Sequence, residues 1–282
     1  MAFTPSLPLR AEADLSAARR NAMRRNLNLV RELAITQFKL KYTGSVLGYL
    51  WSLMKPLMLF AVMYVVFARF LRLANSSPHF TLQLLVGIIF WNFFVETVGV
   101  GVGVIVGNAT LLKKASFPRL ILVVASSVSS SMTFVINLVL IVIIAAPLHQ
   151  IELGWRSLAL VPLVLELYAL VLGLSFLLSS LFVFYRDLGH VWEISAQVLF
   201  YGSAIVYPLA PTFLGAKAKL LGMNPIAQIV EDVRHAMVTP QVPWTVQFTG
   251  VRFAVPLVIV AGSAVLGYTT FRRLTPRFAE YL

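Results

Sequence analysis

The sequence contains no cysteine. That excludes a disulfide framework, thiolate chemistry and any metal site built on sulfur. Charge is scarce too: 12% of the 282 residues are Asp, Glu, Lys or Arg, against roughly 25% in an ordinary soluble domain. The phosphate-binding pattern G-x-x-x-x-G-K-[ST] does not occur, and neither does H-E-x-x-H or G-x-S-x-G. The histidines, His79, His149, His190 and His235, are scattered without ligand spacing. No clustered acidic or metal-binding loop is present, so neither a catalytic constellation nor a metal site is expected. If ATP drives this protein, the ATPase must be another chain.

What the chain has in excess is apolar surface. Hydrophobic residues make up 59% and the mean hydropathy is +0.84. A single soluble core of this length could not hide so much, so composition alone points to an integral membrane protein. A span needs roughly 20 mainly apolar residues. Six segments qualify as expected spans: 49–71, 81–107, 120–145, 157–183, 191–208 and 253–271. All are expected to be helices, because lipid offers no partners to loose backbone groups, and the alternation of a membrane barrel is not seen. The expected fold is therefore all-α, one membrane domain: an inner N-terminal part over 1–48, a six-span bundle over 49–271 and an inner tail over 272–282.

The net charge of +12 lies mostly between and before these segments. Membrane topology and anionic lipid account for it better than nucleic acid does. With both termini inside, the inner segments carry the larger share of Lys and Arg, although Arg69 and Arg72 fall on the outer side. The N-terminus, MAFTPSLPLRAEADLS, has no apolar core of the kind a cleavable signal peptide carries. Residues 24–42 are too charged to span. Leu27, Val30, Ala34 and Phe38 can share one face there, which predicts a basic amphipathic helix on the inner leaflet. The stretch 208–252 holds five prolines and only short apolar runs, and reads as re-entrant or interfacial helices.

Several residues stand out inside this frame. Gly99, Gly103 and Gly107 recur every four residues and suggest a helix-packing face. Glu96 and Asn92 lie within the second expected span, where a carboxylate is expensive and a wet or functional role is the default. Glu166 is similar in the fourth. Lys55, one turn into the first span, can snorkel to headgroups. Ser126, Ser127, Ser129, Ser130 and Ser131 read as helix-packing hydroxyls. Phe90, Trp91, Phe93 and Phe94 crowd the second span, and Phe200, Tyr201 and Tyr207 the fifth. Such faces can stack on sugar rings, or simply pack the core or the membrane interface. The inner interruption NATLLKKASFPR, 108–119, has Leu111, Leu112 and Phe117 for an apolar side and Lys113 and Lys114 for a charged one. It stops before Pro118 and Arg119. That pattern suits a short helix docking in the groove of a cytosolic partner.

Five stretches together resemble the ABC-2 type permeases that export O-antigen, capsule and teichoic-acid polymers. RELAITQFKLKYTGSVLGYLWSLMKPL, 31–57, is similar to the family's entry segment, and NATLLKKASFPR to its coupling helix. FYRDLGHVWEISAQVLFYGSAIVYP, 184–208, is similar to its Arg-Asp hairpin and fifth span. NPIAQIVEDVRHAM, 224–237, and the end FRRLTPRFAEYL match in style. Ala34, Ile35 and Thr36 depart from a run that is often more charged in relatives. The resemblance implies a half-transporter in a bacterial inner membrane, working as a homodimer with two copies of a cytosolic ABC ATPase. This chain would bind no cofactor, ATP and Mg belonging to the partner. Coupling would run through Leu111, Leu112, Lys113, Lys114, Phe117, Pro118 and Arg119. The path for a lipid-linked glycan would be lined from Phe90, Trp91, Phe94, Glu96, Phe200, Tyr201 and Tyr207, with Arg31, Lys39 and Lys41 at lipid headgroups. Arg186 and Asp187 are expected to pair. The rival readings are an ABC-2 permease for a small amphiphile and an ATP-independent, ion-coupled transporter centred on Glu96.

Overall fold

The computed structural model describes residues 9–45, 48, 50–72, 77, 79–114, 117–147, 151, 152 and 154–281, and these contain helices and no strand. In chain order the helices are α1 (Leu9–Tyr42), α2 (Leu50–Met63), α3 (Phe80–Gly107), α4 (Ala109–Lys114), α5 (Leu120–Ala145), α6 (Leu160–Phe182) and α7 (Leu188–Gly202). After them come α8 (Pro211–Leu214), α9 (Lys217–Leu221), α10 (Pro225–Val233), α11 (Thr245–Thr249), α12 (Ala254–Leu274) and α13 (Phe278–Tyr281). Helix α2 continues as a π-helical stretch over Tyr64–Phe70, and α10 as another over Arg234–Val238.

Helix α1 contains neither glycine nor proline and runs unbroken until Gly44, whose φ of +79 takes the chain out of the helix. Its inward face is not quite the expected one. Ala34 is fully buried, Tyr42 reaches Thr133 on α5 at 3.3 Å, and Leu33 joins an apolar cluster, whereas Leu27 is exposed. The C-terminal part of α1 therefore packs along α5. Arg31 and Lys39 remain exposed.

Among the described residues, five helical stretches are long and apolar enough to cross a membrane: Leu50–Phe70, Phe80–Gly107, Leu120–Ala145, Trp155–Phe182 and Thr245–Tyr281. The protein is a multi-pass helical membrane protein. Helix α7 differs from its expectation. It has 15 residues, about 22 Å of rise, and stops at Gly202 instead of running to 208. Residues 203–210 leave the helix, with Ala204 at φ +51, because the buried Arg234 takes up carbonyls from this stretch.

Helix α3 is the centre of the bundle, packed against α2, α5, α6, α7 and α10. In α3, 67% of the most apolar window is buried, against 6% for Leu50–Phe70 at the periphery. Two close approaches set the bundle. A Cβ on Gly267 of α12 would lie 2.0 Å from the Gly173 carbonyl of α6, and one on Gly101 of α3 would lie 2.7 Å from Ser175 Oγ of α6. The expected glycine face is different: Gly103 and Gly107 meet nothing within 4 Å, and Gly99 meets only Trp192. Ser126, Ser127 and Ser131 of α5 bond back to their own helix, and Ser127 also meets the Tyr168 hydroxyl at 2.9 Å.

Candidate functional site

Helices α2, α3 and α7 enclose a groove of about 470 Å³. Its aromatic wall comes from Trp91, Trp192, Phe200 and Tyr201, its polar groups are Glu193 and Gln197, and Leu59 and Met63 of α2 close the far side. Trp91 packs edge-on to Phe200 at 5.5 Å, and Phe200 edge-on to Tyr201 at 5.2 Å. The rings hold one another in fixed orientation. Tyr201 is 60% exposed, and Ile194 and Val198 of the same helix are exposed as well. This is a wide apolar surface with a few polar groups, chemistry suited to the flat faces and edge hydroxyls of sugars.

Two other aromatics named from the sequence are elsewhere. Phe90 is 1% exposed and meets Phe134 edge-on at 5.0 Å, and Phe94 is 1% exposed between Trp91 and Trp192. Both are core. Tyr207 donates its hydroxyl to the Tyr201 carbonyl at 2.7 Å, pinning the residues after α7 to its last turn.

Beside those residues lies a plug. Every residue from Pro225 to Thr239 is buried. Asn224 caps α10 by accepting from the Ile226 N–H, and Pro225 opens the helix with a φ already helical. Arg234 is 2% exposed and fully engaged. Its Nη1 donates to the carbonyls of Ala204 and Tyr207 at 3.0 and 3.3 Å and to Glu231 Oε2 at 3.0 Å. Its Nη2 donates to Ile205 O at 2.6 Å, and its Nε to Gln83 O at 3.3 Å. A planar fork of five donors thus gathers α3, the non-helical stretch after α7, and α10. Asp232 accepts from Gln228 Nε2 at 2.9 Å and from both the N–H and the hydroxyl of Thr245. His235 stacks on Trp244 with centroids 4.2 Å apart.

At the opposite end, α4 divides its residues between two jobs. Thr110, Leu111, Lys113, Lys114 and Pro118 are exposed. Leu112 and Phe117 turn inward onto a cluster that includes Leu33, Phe271 and Phe278. Arg119 lies over the Phe278 ring and donates to the Thr275 carbonyl. The apolar side of this loop is thereby shared with the chain's own C-terminus. Arg186 stacks on Phe182 at 5.5 Å, and among the described residues no ion pair joins it to Asp187. Glu96 is not in the aromatic groove. It pairs with Lys41 at the end of α1, so the residue expected at headgroups and the one expected in the path meet each other.

A model of the family described as ABC-2 type transporter matches residues 28–238, three quarters of the sequence and all of these features except the C-terminal helices. The chain belongs to the ABC-2 type transporter family. Two relatives are similar to this chain along most of their length. An O-antigen export system permease protein of Klebsiella pneumoniae is 24% identical over 269 residues, covering 92% of this chain and 98% of the relative. One from Myxococcus xanthus is 26% identical over 216 residues, covering 76% of this chain and 82% of the relative.

For this ABC-2 chain, sequence reasoning named Trp91, Phe200 and Tyr201 of the groove and missed Trp192, Glu193 and Gln197. The signal existed: residues 192, 193, 196, 197, 200 and 201 form one face of α7 at helical spacing. It missed Arg234 altogether, because a lone arginine in a proline-rich stretch reads as a solvated charge.

Proposed function

We propose that this ABC-2 chain is the membrane-spanning subunit of an ATP-driven exporter that moves a lipid-linked polysaccharide, or a teichoic-acid-like polymer, out across a bacterial inner membrane. Two copies form the path, and two copies of a cytosolic ABC ATPase bind from below with their ATP and Mg. Helix α7 acts as the fifth of six spans, shortened because the plug around α10 completes the crossing from the outer side. Both termini are cytoplasmic, with α1 at the inner interface. The exposed residues of α4 meet the ATPase, and Leu112, Phe117 and Arg119 transmit its motion to α1 and α12.

The observation that carries the reading is the match along 98% of a relative named for O-antigen export, joined to an aromatic groove at the bundle's periphery where a second copy can close it. The test is reconstitution. The chain is co-expressed with a candidate ABC ATPase, purified in lipid and assayed for complex size, ATP turnover and movement of a lipid-linked glycan. A complex whose ATP turnover rises with glycan substrate is expected. A chain that transports without any ATPase would replace this reading with the ion-coupled one.

A further inference from the structure

Helix α12 ends at Leu274, but the chain keeps turning. Pro276 has no N–H to offer the carbonyl one turn back, and the chain tightens into a 3-10 turn over Thr275–Arg277 before α13. Helix α13 has four residues, far too few to be stable by itself. Arg277, Ala279, Glu280 and Tyr281 are exposed, whereas Phe278 among them is fully buried. One ring therefore pins this C-terminal tail to the bundle.

Three elements meet that ring. From the loop after α4, the Arg119 guanidinium lies over it at 5.7 Å, and Arg119 also donates to the Thr275 carbonyl. From the turn between α6 and α7, Phe184 lies 6.1 Å from it, and Phe184 meets Tyr281 edge-on at 4.7 Å. Phe271 of α12 packs edge-on at 5.7 Å. The α6–α7 turn is short. Helix α7 begins at Leu188, and Trp192, in the wall of the aromatic groove, is one turn into it. Close-packed side chains transmit displacement instead of absorbing it, and a helix carries it onward as a rigid element. A shift of Arg119 thus reaches Trp192 by way of Phe278, Phe184 and the first turn of α7. The tail lies outside residues 28–238, the part that the family model matches, so this route rests on the chain's own contacts.

We propose that the C-terminal tail is a coupling strut, with Phe278 a positioning residue that carries ATPase-driven motion from the α4 loop to α7 and the aromatic groove. The strut rests on the export reading, in which α4 meets the ATPase, and adds a branch to the path through α1 and α12. Phe278 keeps Arg119 and Phe184 in register. Weakening it should leave the ATPase bound and α7 unresponsive.

The test uses the full chain in lipid nanodiscs with its ABC ATPase. The sequence has no cysteine, so Val191→Cys, 53% exposed in the first turn of α7, takes a single environment-sensitive fluorophore. Its emission is read before and after a non-hydrolysable ATP analogue. A shift is expected in the native background. It should be lost in Phe278→Ala and Arg119→Gln while the ATPase still co-purifies, and Arg119→Lys, which keeps a donor for the Thr275 carbonyl, should recover it. Phe134→Ala, in the core beside Phe93, is the control for lost stability: its melting temperature should fall with the shift retained. If Phe278→Ala does not fold, the two Arg119 variants decide. A bound ATPase with no shift in the native background, a full shift in Arg119→Gln, or loss of the shift in Phe134→Ala as well overturns the strut and leaves the export reading intact. A native chain that binds no ABC ATPase overturns both.

Discussion

Arg234 carries more of the fold than its single charge suggests. It terminates α7 by drawing off the carbonyls of Ala204, Ile205 and Tyr207, and it neutralises Glu231 in a site that is 1% exposed. Removing one partner of such a pair strands the other, at a cost of about 3–5 kcal/mol. Arg234→Ala should therefore lower thermal stability sharply. Pairing Arg234→Met with Glu231→Leu should recover part of the loss, and a melting curve of each variant checks it. The glycines divide equally cleanly. Gly267→Leu places side-chain atoms where the Gly173 backbone already is, an overpacking cost of about 1–3 kcal/mol or more. Gly103→Ala meets nothing and should stabilise the helix by up to about 1 kcal/mol. Equal melting temperatures for these two variants would contradict the α6–α12 crossing.

At the scale of elements, α4 and its flanks let the proposed docking be tested apart from anchoring. Leu111→Asp, or Lys114→Glu, changes only exposed residues. Association with the ATPase should fall by tenfold or more, at about 1.4 kcal/mol per decade, while the melting temperature of the isolated chain stays put. Phe117→Ala removes a ring from the cluster with Leu33, Phe271 and Phe278, and should cost the chain itself about 3 kcal/mol. Parallel co-purification and melting experiments distinguish the two effects. On α7, alanine at Trp192 or Tyr201 strips the groove wall. Glycan transport should drop there with ATPase binding preserved, as measured on the same preparations.

For the whole molecule, the outer faces of α2 and α7 set where a partner copy is expected. Both present apolar residues outward: Met58 and Val62 on one, Ile194 and Val198 on the other. A second copy closing the aromatic groove would cover them. The absence of native cysteine makes the test direct. A single cysteine at Ile194 or Val198 should cross-link two copies in membranes under mild oxidation, and one at Val265 of α12 should not. Cross-linking at Val265 alone would put the two-fold axis on the other side of the bundle.

The class of the protein and four of its apolar spans were legible in the sequence almost to the residue, since the bilayer imposes a length and a polarity that leave few alternatives. The short helix at 109–114 was legible too, from its lysines and the proline just beyond them. Where α7 ends was not. Its apolar run continues to Tyr207, and only the carbonyls' capture by an arginine 30 residues away stops the helix. The same holds for the packing glycines: repetition along α3 singled out Gly99, Gly103 and Gly107, whereas contact across helices selected Gly101, Gly173 and Gly267. Composition and period along the chain determined that this is a helical membrane protein. Which aromatics form a wall, which lie in the core, and that Lys41 meets Glu96 were decided only by the tertiary structure, because helices in contact choose neighbours by shape and by unsatisfied polar groups, and neither is a property of one segment alone.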